Sequence, residues 1–229
     1  MVAAQPASRR EAAKAERRAR IVEAAASLVR EQGFDGVSMV QIAERAAVSP
    51  GTLYNLFQTK GAIFRQVFDL DLQEYERLLS LEPARDPLDR MFVAIKLAAS
   101  LYRGDPDFYR AMARADGEGP EGLGSAIAEP RTAFWQARVA DAILAGALRP
   151  DTDANILGVA LTQLMRGIFL EWAGGVISAD RLAQESAFGF AMALLAYAAD
   201  DEAPSLRQRL RSLQMELAQS SRVEDREAA

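Results

Sequence analysis

The sequence contains neither cysteine nor histidine. Disulfides, thiolate nucleophiles and zinc sites built on sulfur or imidazole are thereby excluded. The commonest general acid–base group is gone as well. No polar catalytic cluster takes its place, so the reading is of a non-enzyme without cofactor or metal. Strand-like patterning is also lacking, because nowhere do apolar and polar residues alternate with period two for long. Nor is there an uncharged apolar run of membrane-spanning length. Residues 156–177 are long enough but carry Gln163, Arg166 and Glu171, and the uncharged stretch 186–199 has only fourteen residues. Residues 1–20 are polar and charged, unlike a signal peptide. A cytoplasmic protein with no membrane partner is expected.

What is present is a chain of 229 residues, half of it hydrophobic, enough for a packed core. Its net charge of −5 is unevenly spread. Residues 1–60 hold nine Lys/Arg against six Asp/Glu, a balance of +3, and the remainder holds eighteen against twenty-six, a balance of −8. A basic head on an acidic body is suited to presenting one end to phosphate, and equally describes a solvated charged tail.

Apolar residues recur at helical spacing nearly throughout, which predicts an all-α fold. The first helix is expected from Glu16 to Gln32, ended by Gly33 in the left-handed conformation. Ser38 and Gln41 form a capping box for a short second helix ending near Ala46. Ser49 as N-cap with Pro50 at the first helical position starts a third, through Phe57. Thr59 caps a long fourth helix from Lys60 to Leu81, with apolar stripes Ile63, Val67, Leu70 and Phe64, Phe68, Tyr75, Leu79. Further helices are expected at 87–103, 105–115, 126–145, 153–173 and 179–200, with a glycine-rich loop at 116–124. A last one follows Pro204, with a stripe of Leu206, Leu210, Leu213 and Leu217 that favours core contact over an independent coiled coil.

The second and third helices with their tight turn make a helix-turn-helix on spacing alone. Ile42, Ala43, Ala46 and Val48 can face Leu53 and Phe57, which leaves Pro50, Gly51, Thr52, Tyr54 and Asn55 outward. A major groove admits one such helix, read chiefly by its N-terminal half. Asn55 is a candidate base reader, since an amide can bond adenine bidentately.

The residues Gly33-Phe34, Ser38-Met39, Ile42-Ala43, Ala46, Val48-Ser49, Gly51-Thr52-Leu53-Tyr54, Phe57 and Lys60 resemble the N-terminal domain of the TetR/AcrR family of bacterial repressors. The resemblance covers roughly residues 15–71. It implies that Thr52 and Tyr54 contact DNA backbone and bases, that Lys60 pairs with a phosphate, and that Ser38 and Gln41 approach phosphate. With Ser49, Gly51 and Asn55 these make up the candidate DNA-binding set. Three departures stand out: Ala47 where glycine is frequent in the turn, Pro50 where a basic residue is frequent, and Leu56 in place of His or Tyr. Arg9, Arg10, Lys14, Arg17, Arg18 and Arg20 form a basic arm, either a supplement that reaches minor groove or phosphates or a solubilising tail.

The resemblance further implies a three-helix head (15–71) joined by the fourth helix to a ligand-binding and dimerisation body (72–220); the polar, charged ends predict a disordered basic arm (1–14) and a disordered tail (221–229). The partners it implies are a near-palindromic double-stranded operator, a small-molecule effector and a second copy of the chain. The helices at 153–173 and 179–200 are apolar nearly all round, so Ile156, Ala160, Leu164, Phe188, Ala191 and Leu195 are dimer-interface candidates, with a fully internal helix pair as the alternative. Small residues such as Gly158 and Gly189 would permit close approach. Effector-lining candidates are Phe68, Phe92, Tyr109, Met112, Phe134, Trp135, Met165 and Phe169, with Arg131, Arg138 or Arg166 as an anionic anchor; each apolar candidate can equally be plain core. The lack of histidine weighs against a metal-chelated ligand and favours an apolar or amphipathic one.

Overall fold

In the computed structural model, which describes residues 9–115 and 124–227, every regular element is an α-helix. The order is α1 (Arg9–Gly36), α2 (Met39–Arg45), α3 (Pro50–Phe57), α4 (Lys60–Leu81), α5 (Pro87–Gly104), α6 (Pro106–Ala115), α7 (Gly124–Leu144), α8 (Ala154–Ala173), α9 (Ala179–Leu195) and α10 (Ala203–Glu227). Two compact units result. One gathers residues up to 73 with Arg110–Ile127, and the other holds Glu74–Tyr109 with the chain from Ala128 onward. The expected boundary at 71 therefore falls near an observed one, but the first unit also takes in a segment from the middle of the chain. The loop expected at 116–124 lies almost wholly outside the described residues.

Local chemistry explains most helix starts. Asp86 accepts from the Asp89 N–H at 2.7 Å, Asp153 from Asn155 and Ile156 at 2.8 and 3.1 Å, and Ser178 from Arg181 at 3.1 Å. Helix α4 ends where the Arg90 guanidinium, arriving from α5, takes the Leu79 and Glu82 carbonyls, both at 2.7 Å.

Four expectations need correction. Helix α1 starts at Arg9, so residues 9–14 are helical and not a disordered arm; Arg-Arg-Glu-Ala-Ala-Lys-Ala holds no breaker and several strong helix formers. The tail is likewise helical through Glu227. Helix α9 stops at Leu195, short of Asp200, because the following backbone pairs elsewhere: Arg149 N–H donates to Tyr197 O at 2.9 Å and Ala199 N–H to Ala147 O at 3.0 Å. This isolated antiparallel bridge joins the α7–α8 and α9–α10 linkers. Leu70 of the expected α4 stripe is exposed, whereas Ile63, Phe64, Val67, Phe68 and Leu79 are buried.

In the second unit α9 is the central helix, packed by α5, α8 and α10. Helix α10 is thus a core-contacting element, with Leu206 buried. It is also tied to α5, because Arg209 donates to Asp89 at 2.7 Å with its guanidinium 4.0 Å from the Phe92 ring centre. Burial pushes the Asp89 carboxyl up, but hydrogen bonds from the Arg85 side chain and backbone and from Arg209 outweigh it and hold the group down to about 2. A carboxylate whose folded value lies below its ordinary one stabilises the fold above pH ~4 and loses that contribution as pH falls towards 2. Asp89→Asn is therefore expected to lower stability at pH 7 by at most about 2 kcal/mol. It should also flatten the loss between pH 4 and 2, read from urea midpoints at several pH values. An equal acid dependence in both proteins would contradict the assignment.

Candidate nucleic-acid interface

The first unit is built around a small apolar core. Ile21, Ala25, Leu28 and Val29 of α1 are buried together with Ile42 and Ala43 of α2, Leu53 and Phe57 of α3, and Ile63 and Phe64 of α4. Phe34 meets Phe64 edge-on with ring centres 4.9 Å apart. Gly33, at φ 73°, bends the end of α1 so that Phe34 turns inward.

The α2–α3 corner forms as its caps demand. Ser38 Oγ accepts from Gln41 N–H at 3.2 Å while Gln41 Oε1 accepts from Ser38 N–H at 2.8 Å, completing the capping box. Ala47 takes the left-handed turn at φ 52°, a conformation costing roughly 1 kcal/mol more for alanine than for glycine. Ser49 then accepts from Thr52 N–H at 3.1 Å, and the two hydroxyls lie 2.8 Å apart. Only one hydroxyl hydrogen is consumed between them, which leaves the other for an acceptor such as a phosphate oxygen. Gln58 also has positive φ, 57°, where α3 gives way to α4.

The sequence-predicted residues divide into three groups. Gly51, Tyr54 and Asn55 are exposed on the outer face of α3, and Tyr54 keeps 48% of its surface despite its size. Ser38, Gln41, Ser49 and Thr52 are at the surface but already engaged in caps. Lys60 is turned back: its Nζ donates to Phe34 O at 2.5 Å and lies 4.1 Å from the Phe34 ring centre. A phosphate contact through Lys60 therefore requires sharing or giving up that bond.

Two anchors were not legible beforehand. Arg18, grouped with the arm by composition, donates to Leu56 O at 2.7 Å and to Gln66 Oε1 at 3.0 Å, and its guanidinium stacks 4.2 Å from the Phe57 ring centre. It thereby binds the C-terminal end of α3 to α1 and α4. Arg45 of α2 grips Glu31 of α1 through two bonds of 2.7 and 2.8 Å, and also Ser27 at 3.2 Å. Hydrogen bonds from Arg45 and Ser27 hold the Glu31 carboxyl down to about 2. These partners lie 14 to 48 residues apart, beyond any local spacing rule. Alongside α3 runs a groove of roughly 570 Å³ lined by Arg9, Arg10, Ala13, Lys14, Arg17, Thr52, Asn55 and Leu56.

The effector-lining candidates fall in both units: Phe68 and Met112 in the first, the others in the second. Within the second unit Phe134 touches Trp135 (4.9 Å between ring centres), and Trp135 in turn touches Phe190 (4.6 Å). A separate cluster centres on Tyr102, a residue the sequence did not single out, with Tyr109, Phe169 and Trp172 at 4.7, 5.0 and 5.2 Å. Arg131 lies over Phe169 at 5.7 Å. Arg138 is committed instead to Glu76, Asp141 and the Phe134 face, which counts against it as an anchor.

Of the dimer candidates, Ile156 and Ala160 are exposed and Leu164, Phe188 and Leu195 are half-buried. Ala191 is fully buried within the chain and is withdrawn, because α9 is wrapped by its own neighbours. Helix α8 has an inner face (Leu157, Leu161, Met165, Phe169, Trp172) and an outer apolar face (Ile156, Val159, Leu170). It is also long and apolar enough to cross a membrane, by length and composition. Gly158 and Gly189 serve contacts inside the chain: a Cβ would meet Gln136 of α7 in one case and Leu164 of α8 in the other.

Comparison with known proteins converges on one group. The profile described as "Bacterial regulatory proteins, tetR family" matches residues 21–67. The HTH-type transcriptional repressor KstR of Rhodococcus jostii is 33% identical over 103 residues, covering 45% of this chain and 49% of that protein. The chain thus aligns with about half the length of that relative. The HTH-type transcriptional regulator UidR of Escherichia coli is 28% identical over 179 residues, covering 75% and 86%. Among solved structures, Thermus thermophilus FadR in complex with lauroyl-CoA superposes with a TM-score of 0.64 at 23% identity, over 80% of this chain and 97% of that one. TylP from Streptomyces fradiae, a tetr regulator, gives 0.60 at 21%, over 89% and 98%.

Proposed function

We propose that this chain, whose residues 21–67 match the tetR-family profile, is a TetR-family DNA-binding transcriptional regulator, and that it acts as a homodimeric, cytoplasmic repressor released from a near-palindromic operator by a small apolar or amphipathic molecule. The observation that carries the reading is the outer face of α3. Leu53 and Phe57 are sunk in the core and Arg18 holds the end of the helix, yet Gly51, Tyr54 and Asn55 remain uncovered. Recognition side chains on a rigid helix are what major-groove readout needs.

Repression is supported by KstR, which is named a repressor. Dimerisation is supported by the outer face of α8, where Ile156 keeps 67% of its surface and Val159 44%. Met192 of α9, 49% exposed, is a further uncovered apolar side chain. Two copies joined there would present two recognition helices to successive grooves. An apolar or amphipathic effector is supported by the Tyr102 cluster with Arg131 beside it. By linkage, a molecule that prefers one body conformation weakens operator binding by its differential affinity for the two states.

Tyr54→Ala tests the reading. Because the ring is half exposed, the variant should fold and assemble as the parent does. Its affinity for a duplex from the protein's own promoter should fall by about two orders of magnitude, read by gel shift at fixed salt. A parent protein that forms no salt-sensitive specific complex would sink the proposal.

A further inference from the structure

We propose that the first turns of α1 and the side of α3 form a second DNA contact, in which the groove between them seats the phosphate strand flanking the recognition helix. Arg9, Arg10, Lys14 and Arg17 line one wall, and Thr52, Asn55 and Leu56 the other, with no carboxylate among the lining residues. The spacing i, i+1, i+5, i+8 puts the four cations on one helix face, while Glu11 and Glu16 project from its flanks. None of the four forms an ion pair among the described residues. Arg9, Arg10 and Lys14 are exposed and Arg17 is half-buried.

The face is held in place. One residue beyond Arg17, Arg18 is bonded to Leu56 O and Gln66 and stacked on Phe57, so the cationic face keeps a set direction relative to α3. Its length selects the occupant. Residues 9 to 17 span about 12 Å of helix, enough for about three phosphates at the axial spacing of one DNA strand and more than a single phosphate group needs. Asn55 belongs both to this groove and to the outer face of α3, so a strand lying here runs beside the bases that α3 would read.

This inference rests on α3 being the operator-reading helix, and the test separates the two. Duplexes are first recovered from random-sequence DNA by repeated selection with the unaltered full-length protein. Affinity is then measured against salt for that protein, for the variant with Arg9, Arg10, Lys14 and Arg17 all changed to Ala, and for the charge-preserving R9K/R10K/R17K. The alanine variant should bind at least tenfold more weakly near physiological salt. Its log–log salt slope should be shallower by about 0.9 for each lost phosphate contact, hence by about 5 per dimer for about three phosphates on each protomer. Base preference should stay unchanged. The lysine variant should keep the parent slope, because a phosphate strand reads charge. Should the fourfold variant fail to fold, Arg10→Gln and Lys14→Gln singly give the same readout, each lowering the slope by about 2 per dimer. A slope shared by parent and alanine variant overturns the inference alone, including the case in which the groove serves a free phosphate compound. If the parent selects no duplex, both readings fall.

Discussion

Gly158→Ala is expected to destabilise the body by about 2–3 kcal/mol, although in an unencumbered helix the same change gains roughly 1 kcal/mol. The reversal follows from the α7–α8 contact. A Cβ at 158 would lie 2.5 Å from Gln136 Cγ and 2.8 Å from both Gln136 Cα and N. Two of those atoms are backbone of a neighbouring helix, so no rotamer change relieves the overlap and α7 must move. Gly189 provides the internal control. There the near atoms are Leu164 Cδ1 at 2.5 Å and Cδ2 at 3.0 Å, the mobile end of a side chain, with Cγ behind at 3.2 Å. Gly189→Ala should therefore stay within about 1 kcal/mol of the parent, the rotamer cost set against the helix gain. Urea midpoints at unchanged m report both. Equal effects at the two glycines, or a more stable Gly158→Ala, would show that α7 and α8 are not packed this tightly.

The second large effect concerns assembly. If the chain assembles through the outer face of α8 as proposed, Ile156→Glu combined with Val159→Glu is expected to raise the dimer dissociation constant by about a thousandfold or more, equivalent to about 4 kcal/mol. Two carboxylates would be placed where apolar side chains are to be covered. The fold of one chain should be unaffected, since both side chains already face outward in it. Sedimentation should show monomers with the parent's helical spectrum. Operator affinity should fall together with assembly, because a single head makes half the phosphate and base contacts. A variant that still sediments as a dimer would place the interface elsewhere on the body.

These two experiments mark where sequence reading ends. Taken alone, the sequence determined the elements whose logic is local. Ser38 with Gln41, Ser49 with Pro50, and Thr59 each satisfy backbone groups within three residues, so the helix-turn-helix and its outward residues Gly51, Tyr54 and Asn55 were legible before any coordinates. Ala47 was marked only by the family resemblance, as the turn position where glycine is frequent, and it takes the left-handed conformation there. Periodicity likewise identified Ile63, Phe64, Val67, Phe68 and Leu79 as buried positions of α4, though not the exposure of Leu70, and it identified the apolar character of α8. It could not say which side of α8 is inner and which outer, because both sides are apolar and only the neighbours of Leu161 and Ile156 distinguish them.

Tertiary structure alone decided the remainder. Gly158 and Gly189 became sites of close approach within the chain, Ala191 was withdrawn from the dimer face, and α10 found its partner in α9. Arg18 left the arm to hold the end of α3, while Arg9, Arg10, Lys14 and Arg17 were gathered into a groove beside it. The physical reason is the same in every case. Caps and turns are settled by hydrogen bonds between near neighbours in the chain, whereas packing and charge placement depend on residues tens of positions apart that meet only once the helices have docked.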